Sequence, residues 1–232
     1  MDNYNVNSTN QSLDVYVSSV MRRVYAKMFL AMIVTALSAY VCANVPAIYT
    51  VLFSNKILFY GLLILELVMA FSLVGAVNRM SSSTATFIFY LYSILNGVVL
   101  SSIFFVYTLP SIVSTFFITA GVFAAMSIYG YVTKSDLTRF GSFMVMALIG
   151  LIICIVVNMF LRSAMMDWII SFAGVAIFIG LTAWDTQKIK QMAMMTDNSN
   201  VGKLATIGAL SLYLDFVNLF LYLLRFFGSS RN

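Results

Sequence analysis

The chain has 232 residues, of which 62% are hydrophobic and only 9% are charged, and its formal net charge is +5. Soluble domains carry about 25% charged residues, so this composition excludes a soluble globular protein and indicates a membrane protein that crosses the bilayer several times. The small positive excess lies near segment ends, which suits membrane topology rather than nucleic-acid binding. Because the chain lacks histidine, a pH response near neutrality would depend on carboxyl groups.

The first 20 residues form a polar tail, rich in Asn and Ser, that precedes the first apolar run. We predict no cleavable signal peptide, and we expect the tail to be disordered or to form a short surface helix. Residues 21–232 are predicted to form a single transmembrane domain. The two cysteines lie inside apolar runs and indicate no disulfide framework.

Seven segments are long and apolar enough to span a bilayer, which requires about 20 residues each. They are Met28–Ile48, Ile57–Val77, Thr86–Tyr107, Ser111–Val132, Gly141–Leu161, Trp168–Trp184 (extending to Lys190 in a longer version) and Lys203–Phe227. The connections between them are short, and the three residues 108–110 predict a tight hairpin between the third and fourth segments. The predicted fold class is therefore all-α, with seven transmembrane helices.

Lysine and arginine residues are distributed unevenly between the two sides of the membrane. The N-terminal side holds Arg22, Arg23, Lys27, Arg79, Lys134, Arg139, Lys188, Lys190 and Lys203, and the other side holds Lys56, Arg162, Arg225 and Arg231. The positive-inside rule then predicts a cytoplasmic N-terminus. With seven spans the C-terminus would lie outside, whereas a re-entrant last segment would return it to the cytoplasm.

The last segment is apolar on most of its surface but carries a polar line on one face. The line consists of Ser211, Asp215, Asn218, Tyr222 and Arg225, whose spacing places them on one side of a helix. A carboxylate at the middle of a spanning helix must face protein or water rather than lipid. We therefore predict that the other helices enclose this one.

A second carboxylate, Asp185, lies at the end of the sixth segment, and we predict that Asp185 and Asp215 form one titrating site. Two carboxylates in a dry site cannot both ionise easily. When both are ionised, their oxygens suit a hard divalent cation such as calcium, so a proton and calcium would compete for them. The alternative is that each aspartate is satisfied separately and holds helices together.

The two aspartates differ in predicted depth. Asp185 lies three to five residues before Lys188 and Lys190, about 5–8 Å from the cytoplasmic edge. Asp215 lies twelve residues beyond Lys203, about 18 Å along its helix. The pair can meet only if the seventh segment begins in the cytoplasm or the sixth runs on past Lys190.

Glu66 lies near the middle of the second segment, where a charge costs at least about 2.5 kcal/mol. Glu66 is either a protonated acid bonded to a neighbouring helix or a station on a path for protons or cations, to which Asn96 and Asn218 would also belong. Arg79 closes the same segment and is either a cytoplasmic anchor or a partner for Asp185. Small and polar residues on other helices favour close packing, the alternative being the lining of a water path.

An enzyme is not predicted, because the chain has no phosphate loop, HExxH, CxxC or nucleophile elbow. A pair of aspartates on adjacent helices would permit an intramembrane aspartyl protease, but neither aspartate lies in a GxGD sequence. No tightly bound cofactor is expected.

Four parts of the chain resemble the Bax inhibitor motif-containing family of membrane proteins. They are LNG at 95–97 with LSSIF at 100–104, FITA at 117–120 with TKSDL at 133–137, TAWDTQKI at 182–189, and GAL at 208–210 with YLDFVNLF at 213–220. The third is the most specific, and together they extend over segments three to seven in the order that the family has.

This resemblance implies six helices around a central C-terminal helix. It implies that Asp185 and Asp215 form a pH-sensitive latch and calcium site, and that Glu66 and Arg79 match the acidic and basic residues of the second helix. The implied activity is a passive, proton-regulated leak of calcium, the permeant or bound ion, through the cytoplasmic membrane of a bacterium. Some bacterial relatives are linked to inhibition of a membrane protease, so the alternative is a regulatory protein that binds another membrane protein.

Overall fold

The computed structural model describes residues 2–76, 79–197 and 200–229. These residues form helices without a strand, which confirms the predicted all-α class. The helices of the described chain are α1 (Asp2–Asn44), α2 (Pro46–Ser54), α3 (Lys56–Ala76), α4 (Ser82–Leu100), α5 (Ile103–Val106), α6 (Leu109–Val132), α7 (Thr138–Leu161), α8 (Ala164–Met195) and α9 (Val201–Phe227).

Seven spans in the described residues are long and apolar enough to cross a membrane, which confirms the predicted number. They are Leu13–Asn44, Lys56–Leu73, Ser82–Val106, Leu109–Val132, Thr138–Leu161, Ala164–Met195 and Val201–Phe227. The third joins α4 and α5 across a turn at residues 101 and 102. The predicted short connection is present, since α5 ends at Val106 and α6 begins at Leu109. Pro110 lies in the first turn of α6, where the missing N–H of proline is tolerated.

The N-terminal part differs from the expectation. The helix α1 begins at Asp2 and continues through the polar tail, so the first span starts at Leu13 rather than at Met28. The short helix α2 was not predicted. Pro46 lies in its first turn, and the Thr50 hydroxyl donates to the Pro46 carbonyl at 2.6 Å.

The chain divides into two compact units, of which the first contains Met1–Ile103 and Ile189–Leu210. In this unit α1 packs closely along α4. Gly97 permits the approach, because a Cβ at this position would lie 2.7 Å from the Cβ of Ser38. The Ser38 hydroxyl donates to the Ile94 carbonyl at 2.8 Å and ties the two helices together.

The second unit contains Phe104–Lys188 and Ser211–Asn232, so α8 and α9 each contribute residues to both units. Its apolar core is formed by α7, α8 and α9. The core residues are Met144, Leu151, Ile170, Ile177, Phe178, Leu181, Leu219 and Leu223. Phe116 and Phe123 of α6 extend this packing onto α9, where both rings lie 5.5 Å from the ring of Phe216.

The spans differ in the share of their residues that the protein buries. Only 6% of the second span and 11% of the fifth are buried, which leaves most of their apolar side chains for lipid. The value for α9 is 67%, the highest of the seven in the described chain. This burial suits an intramembrane carboxylate on α9. The arrangement of six helices around α9 and the cytoplasmic N-terminus stay predictions.

Candidate functional site

The candidate site lies where α8 and α9 run side by side in the second unit. The rings of Trp168 and Phe226 are 5.9 Å apart, and those of Phe178 and Tyr222 are 5.8 Å apart. A later position on α8 therefore meets an earlier position on α9, so the two helices are antiparallel. With this direction, Asp185, which lies about two thirds of the way along α8, comes level with Asp215 at the middle of α9.

Asp185 and Asp215 meet at this place. Their carboxyl groups lie within hydrogen-bonding reach of each other, and a bond between two carboxyl groups requires a proton on one of them. Both are buried, with 8% and 5% of their surface exposed. The hydroxyl of Ser211, one turn before Asp215, donates to Oδ2 of Asp185. We call these three residues the aspartate cluster.

One oxygen of the aspartate cluster has no donor. Oδ2 of Asp215 is buried and has no hydrogen-bond partner in the described part of the chain. Leaving an ionised oxygen buried without a donor costs free energy, so a proton, a water molecule or a cation is needed there. The same residues contain no group of three or more His, Cys, Asp or Glu side chains that could hold a metal ion.

The length of α8 resolves the difference in predicted depth. This helix continues beyond Asp185 to Met195, a distance of about 15 Å. The helix α9 begins at Val201, about 21 Å before Asp215. The two aspartates therefore meet because the sixth span runs on past Lys190, which is one of the two conditions derived from the sequence.

Close packing on α8 fixes the position of the cluster. A Cβ at Gly130 of α6 would lie 2.9 Å from the carbonyl carbon of Ala183. Gly141 of α7 has the ring of Trp184 directly against it. Both contacted residues precede Asp185 in the chain by two positions or fewer, so α6 and α7 hold the turn of helix that carries this carboxylate.

Gln187 connects this turn of α8 to the link between α6 and α7. Its Oε1 accepts a hydrogen bond from Leu137 N at 2.8 Å, and its Nε2 donates to Ser135 O at 2.8 Å. Gln187 and Leu137 are both buried, so the bond to Leu137 N satisfies a backbone group that has little access to solvent. Gln187 lies in the TAWDTQKI stretch, but spacing alone does not reveal its partners.

Arg79, the predicted partner of Asp185, is exposed and follows α3 in the first unit. A cation that attracts Asp185 within the second unit is Lys188, one turn further along α8. Its Nζ lies 4.7 Å from the centre of the Trp184 ring. The proposed role of Arg79 in gating stays a prediction.

The residues predicted for an ion path make local contacts. In the first unit, Nδ2 of the buried Asn96 donates to Oε1 of the half-buried Glu66 and joins α4 to α3. This contact supports the interpretation of Glu66 as an acid bonded to a neighbouring helix. In the second unit, Nδ2 of Asn218 donates to Leu214 O at 2.8 Å on its own helix. A path through these residues stays a prediction.

Sequence reasoning missed a polar cluster in the first unit. Nζ of Lys27 donates to Thr86 Oγ1 at 2.8 Å, to Thr206 Oγ1 at 2.7 Å and to Gly202 O at 3.3 Å. The ammonium of α1 thus binds neutral oxygens of α4 and α9. The position of Lys27 beside an apolar run is a signal that its ammonium bonds to neighbouring helices, whereas the count of charges uses this residue only to predict orientation.

Asp136 lies outside the spans and is exposed. Its Oδ1 accepts hydrogen bonds from Thr138 Oγ1 at 2.6 Å and Thr138 N at 2.9 Å. These bonds hold the pKa of the Asp136 carboxyl below its usual value, with a smaller contribution from the charge of Arg139.

Comparison with known proteins gives a consistent result. The family described as inhibitor of apoptosis-promoting Bax1 matches residues 17–232. The inner membrane protein YbhL of Escherichia coli strain K12 is 46% identical over 218 residues, which cover 93% of each chain. A protein of Borreliella burgdorferi is 44% identical over 98% of this chain and 99% of its own. Protein RP147 of Rickettsia prowazekii is 43% identical, and the match covers 97% and 95% of the two chains.

Proposed function

This chain belongs to the Bax inhibitor family of membrane proteins, and we propose that it is a passive calcium leak gated by protonation of Asp185 and Asp215. The observation that carries the proposal is the contact between two buried carboxyl groups inside spanning helices. The inner-membrane location of the Escherichia coli relative supports a place in a bacterial cytoplasmic membrane. We propose that the N-terminus lies in the cytoplasm.

A shared proton explains how the aspartate cluster would gate the leak. With one proton between them, the two carboxyl groups attract each other and join α8 to α9. Loss of that proton leaves two like charges in a buried site, where repulsion is much stronger than in water. Protonation then favours the contact between the helices, and deprotonation favours their separation.

Calcium is the transported ion in this proposal rather than a resident one. The deprotonated cluster offers two carboxylates and the Ser211 hydroxyl. Calcium takes six to eight oxygen ligands, so an ion at this place keeps part of its water and is held weakly. Weak binding suits permeation, because an ion that binds tightly does not leave. Protons and calcium would compete for the same oxygens.

The test is calcium flux into liposomes that hold the full-length protein and an enclosed calcium indicator, from about pH 5 to about pH 8. Wild-type flux is expected to increase with pH. Asp185→Asn and Asp215→Asn should lose this dependence, because an amide does not titrate. Asp136→Asn removes an exposed carboxylate outside the spans and should keep the wild-type pH dependence of the flux. Flux that is the same in every variant at every pH would refute the proposal and favour a regulatory membrane protein.

Ser211→Ala provides a finer test of the same cluster. The hydroxyl of Ser211 donates to Asp185, and this bond favours the ionised form of the carboxyl. Its removal should move the midpoint of the flux profile to higher pH. Ser142→Ala is the control, since the Ser142 hydroxyl donates to the Thr138 carbonyl on its own helix at 3.0 Å. Equal midpoints in the two variants would exclude a role for the Ser211 hydroxyl.

A further inference from the structure

A cavity of about 320 Å³, lined by both polar and apolar side chains, lies at one end of α7, α8 and α9 in the second unit. Asn158, Arg162, Asp167 and Arg225 form its polar lining. We propose that this cavity binds the headgroup of a phospholipid that carries a primary ammonium. The two guanidinium groups would bind the phosphate, and the carboxylate would bind the ammonium.

The two arginines are available to a phosphate. Neither Arg162 nor Arg225 forms an ion pair or a side-chain hydrogen bond with a residue in the described ranges, although Asp167 lines the same cavity. A guanidinium presents planar N–H donors that match phosphate oxygens. Two such groups beside a single carboxylate separate positive from negative charge within the cavity, which matches a headgroup that carries both a phosphodiester and an ammonium.

A buried amide holds the carboxylate in place. Asn158 is 6% exposed, and its Nδ2 donates to Asp167 Oδ1 at 2.8 Å. Its Oδ1 accepts from Ser163 N at 3.0 Å. Because Asn158 uses only one oxygen of the Asp167 carboxylate, the other oxygen can accept an N–H from an ammonium.

The backbone at Arg162 adopts a conformation that favours glycine, yet the position carries an arginine. Arg162 ends α7 in the left-handed region, with φ 51° and ψ 38°. Glycine is the usual residue in this conformation, since other residues are strained by it. The Arg162 N–H donates to Asn158 O at 2.7 Å, so Asn158 fixes both the guanidinium-bearing backbone and the carboxylate. Strain of this kind is typical of binding sites.

The cavity lies at the level of lipid headgroups. The helices α7 and α9 are the fifth and seventh spans, so their C-terminal ends, Leu161 and Phe227, leave the bilayer on the same side. Trp168, next to Asp167, is 57% exposed. Exposed tryptophan is enriched where the apolar core of a bilayer meets its headgroups. A lipid headgroup therefore has direct access to the cavity.

The experiment is native mass spectrometry of the full-length protein in detergent, titrated with phosphatidylethanolamine or phosphatidylcholine. Phosphatidylethanolamine should bind about tenfold more tightly, because a quaternary ammonium has no N–H for Asp167. The double substitution of Arg162→Gln and Arg225→Gln should abolish this tighter binding. Asp167→Asn should retain lipid binding but lose the preference between the two headgroups. Arg139→Gln, at the other end of α7, is the matched control.

Two further measurements separate the alternatives. Arg162→Gly removes the guanidinium and places the residue that favours the left-handed conformation at this position. Because this substitution should not destabilise the backbone, weaker lipid binding by the variant would report the loss of the guanidinium. Inorganic phosphate and glycerophosphoethanolamine, added at the lipid concentration, should not displace the lipid. Displacement of the lipid by either compound would overturn the proposal that the ligand is a lipid and would indicate a soluble phosphate compound instead. Equal binding of the two lipids by the wild type, or unchanged binding by the double variant, would overturn the proposal.

Discussion

The substitution Gly130→Ala tests whether the packing of α6 on α8 positions the aspartate cluster. Gly130 is buried, and an added Cβ would lie 2.9 Å from the carbonyl carbon of Ala183. The neighbour is helix backbone, which cannot move aside as a flexible side chain can. One of the two helices must therefore shift. Since Ala183 precedes Asp185 by two residues, the shift reaches the cluster.

Two opposing contributions decide how Gly130→Ala changes the free energy of unfolding. Alanine is favoured over glycine in a helix interior by about 0.8–1.0 kcal/mol. Forcing a methyl group into a close-packed contact costs about 1–3 kcal/mol, and contact with backbone places this site at the upper end. The expected net effect is a destabilisation of about 1–2 kcal/mol.

Gly121→Ala is the matched control on the same helix. Gly121 is exposed, and an added Cβ there has nothing within 4 Å. Only the helix preference of alanine then remains, so this variant should be stabilised by up to about 1 kcal/mol. The two substitutions are chemically identical and lie nine residues apart, yet they should act in opposite directions.

The assay is thermal unfolding of both variants in one detergent, followed by loss of helical circular dichroism. For a chain of this size, 1 kcal/mol corresponds to about 2–4 °C in Tm. Gly130→Ala should lower Tm by about 2–8 °C, and Gly121→Ala should raise it by up to about 4 °C. If Gly130→Ala proved as stable as Gly121→Ala, the reasoning about close packing beside Asp185 would be wrong.

Gln187→Leu should destabilise the protein by about 1–3 kcal/mol, because it leaves the buried N–H of Leu137 without an acceptor. Gln191→Leu, at an exposed position of the same helix, is its control. Equal Tm values for the two variants would contradict the conclusion that the Gln187 side chain stabilises the link between α6 and α7. Asp136→Asn should lower Tm near neutral pH, because the depressed pKa of Asp136 means that folding favours its ionised form. That stabilisation is complete above the ordinary value of 3.8 and is lost as pH falls through the lower folded-state pKa, so a difference that persisted in acid would refute the assignment.

The seven spans follow from composition because a bilayer has one thickness and demands about 20 apolar residues from each crossing. The polar line on α9 could also be interpreted without a structure. A helix has a fixed number of residues per turn, so Ser211 and Asp215 had to share a face. That face needed a polar neighbour, and TAWDTQKI contained the nearest candidate, Asp185. The depth mismatch left two possibilities, a seventh segment that begins in the cytoplasm or a sixth that runs past Lys190, and the structure shows the second.

Spacing identifies which residues share a face, but not what covers that face. Gly150, Cys154 and Asn158 are four residues apart on α7, yet a Cβ at Gly150 has nothing within 4 Å and Cys154 is exposed. Asn158 is buried at the end of the same row, where it braces Asp167. Asn158 therefore lies against other parts of the protein, whereas Gly150 and Cys154 face away from it. The spacing of the three residues does not predict this difference.

Sequence alone determined the class and the number of spans, and it directed attention to the two carboxylates, because these inferences depend on apolar length and on the cost of charge in lipid. Tertiary structure decided the partners. In the folded protein the Ser211 hydroxyl donates to Asp185, and Gln187 accepts a hydrogen bond from the link between α6 and α7. Arg162 and Arg225 line one cavity. Such contacts join residues that are far apart in the chain, so they depend on how the helices pack.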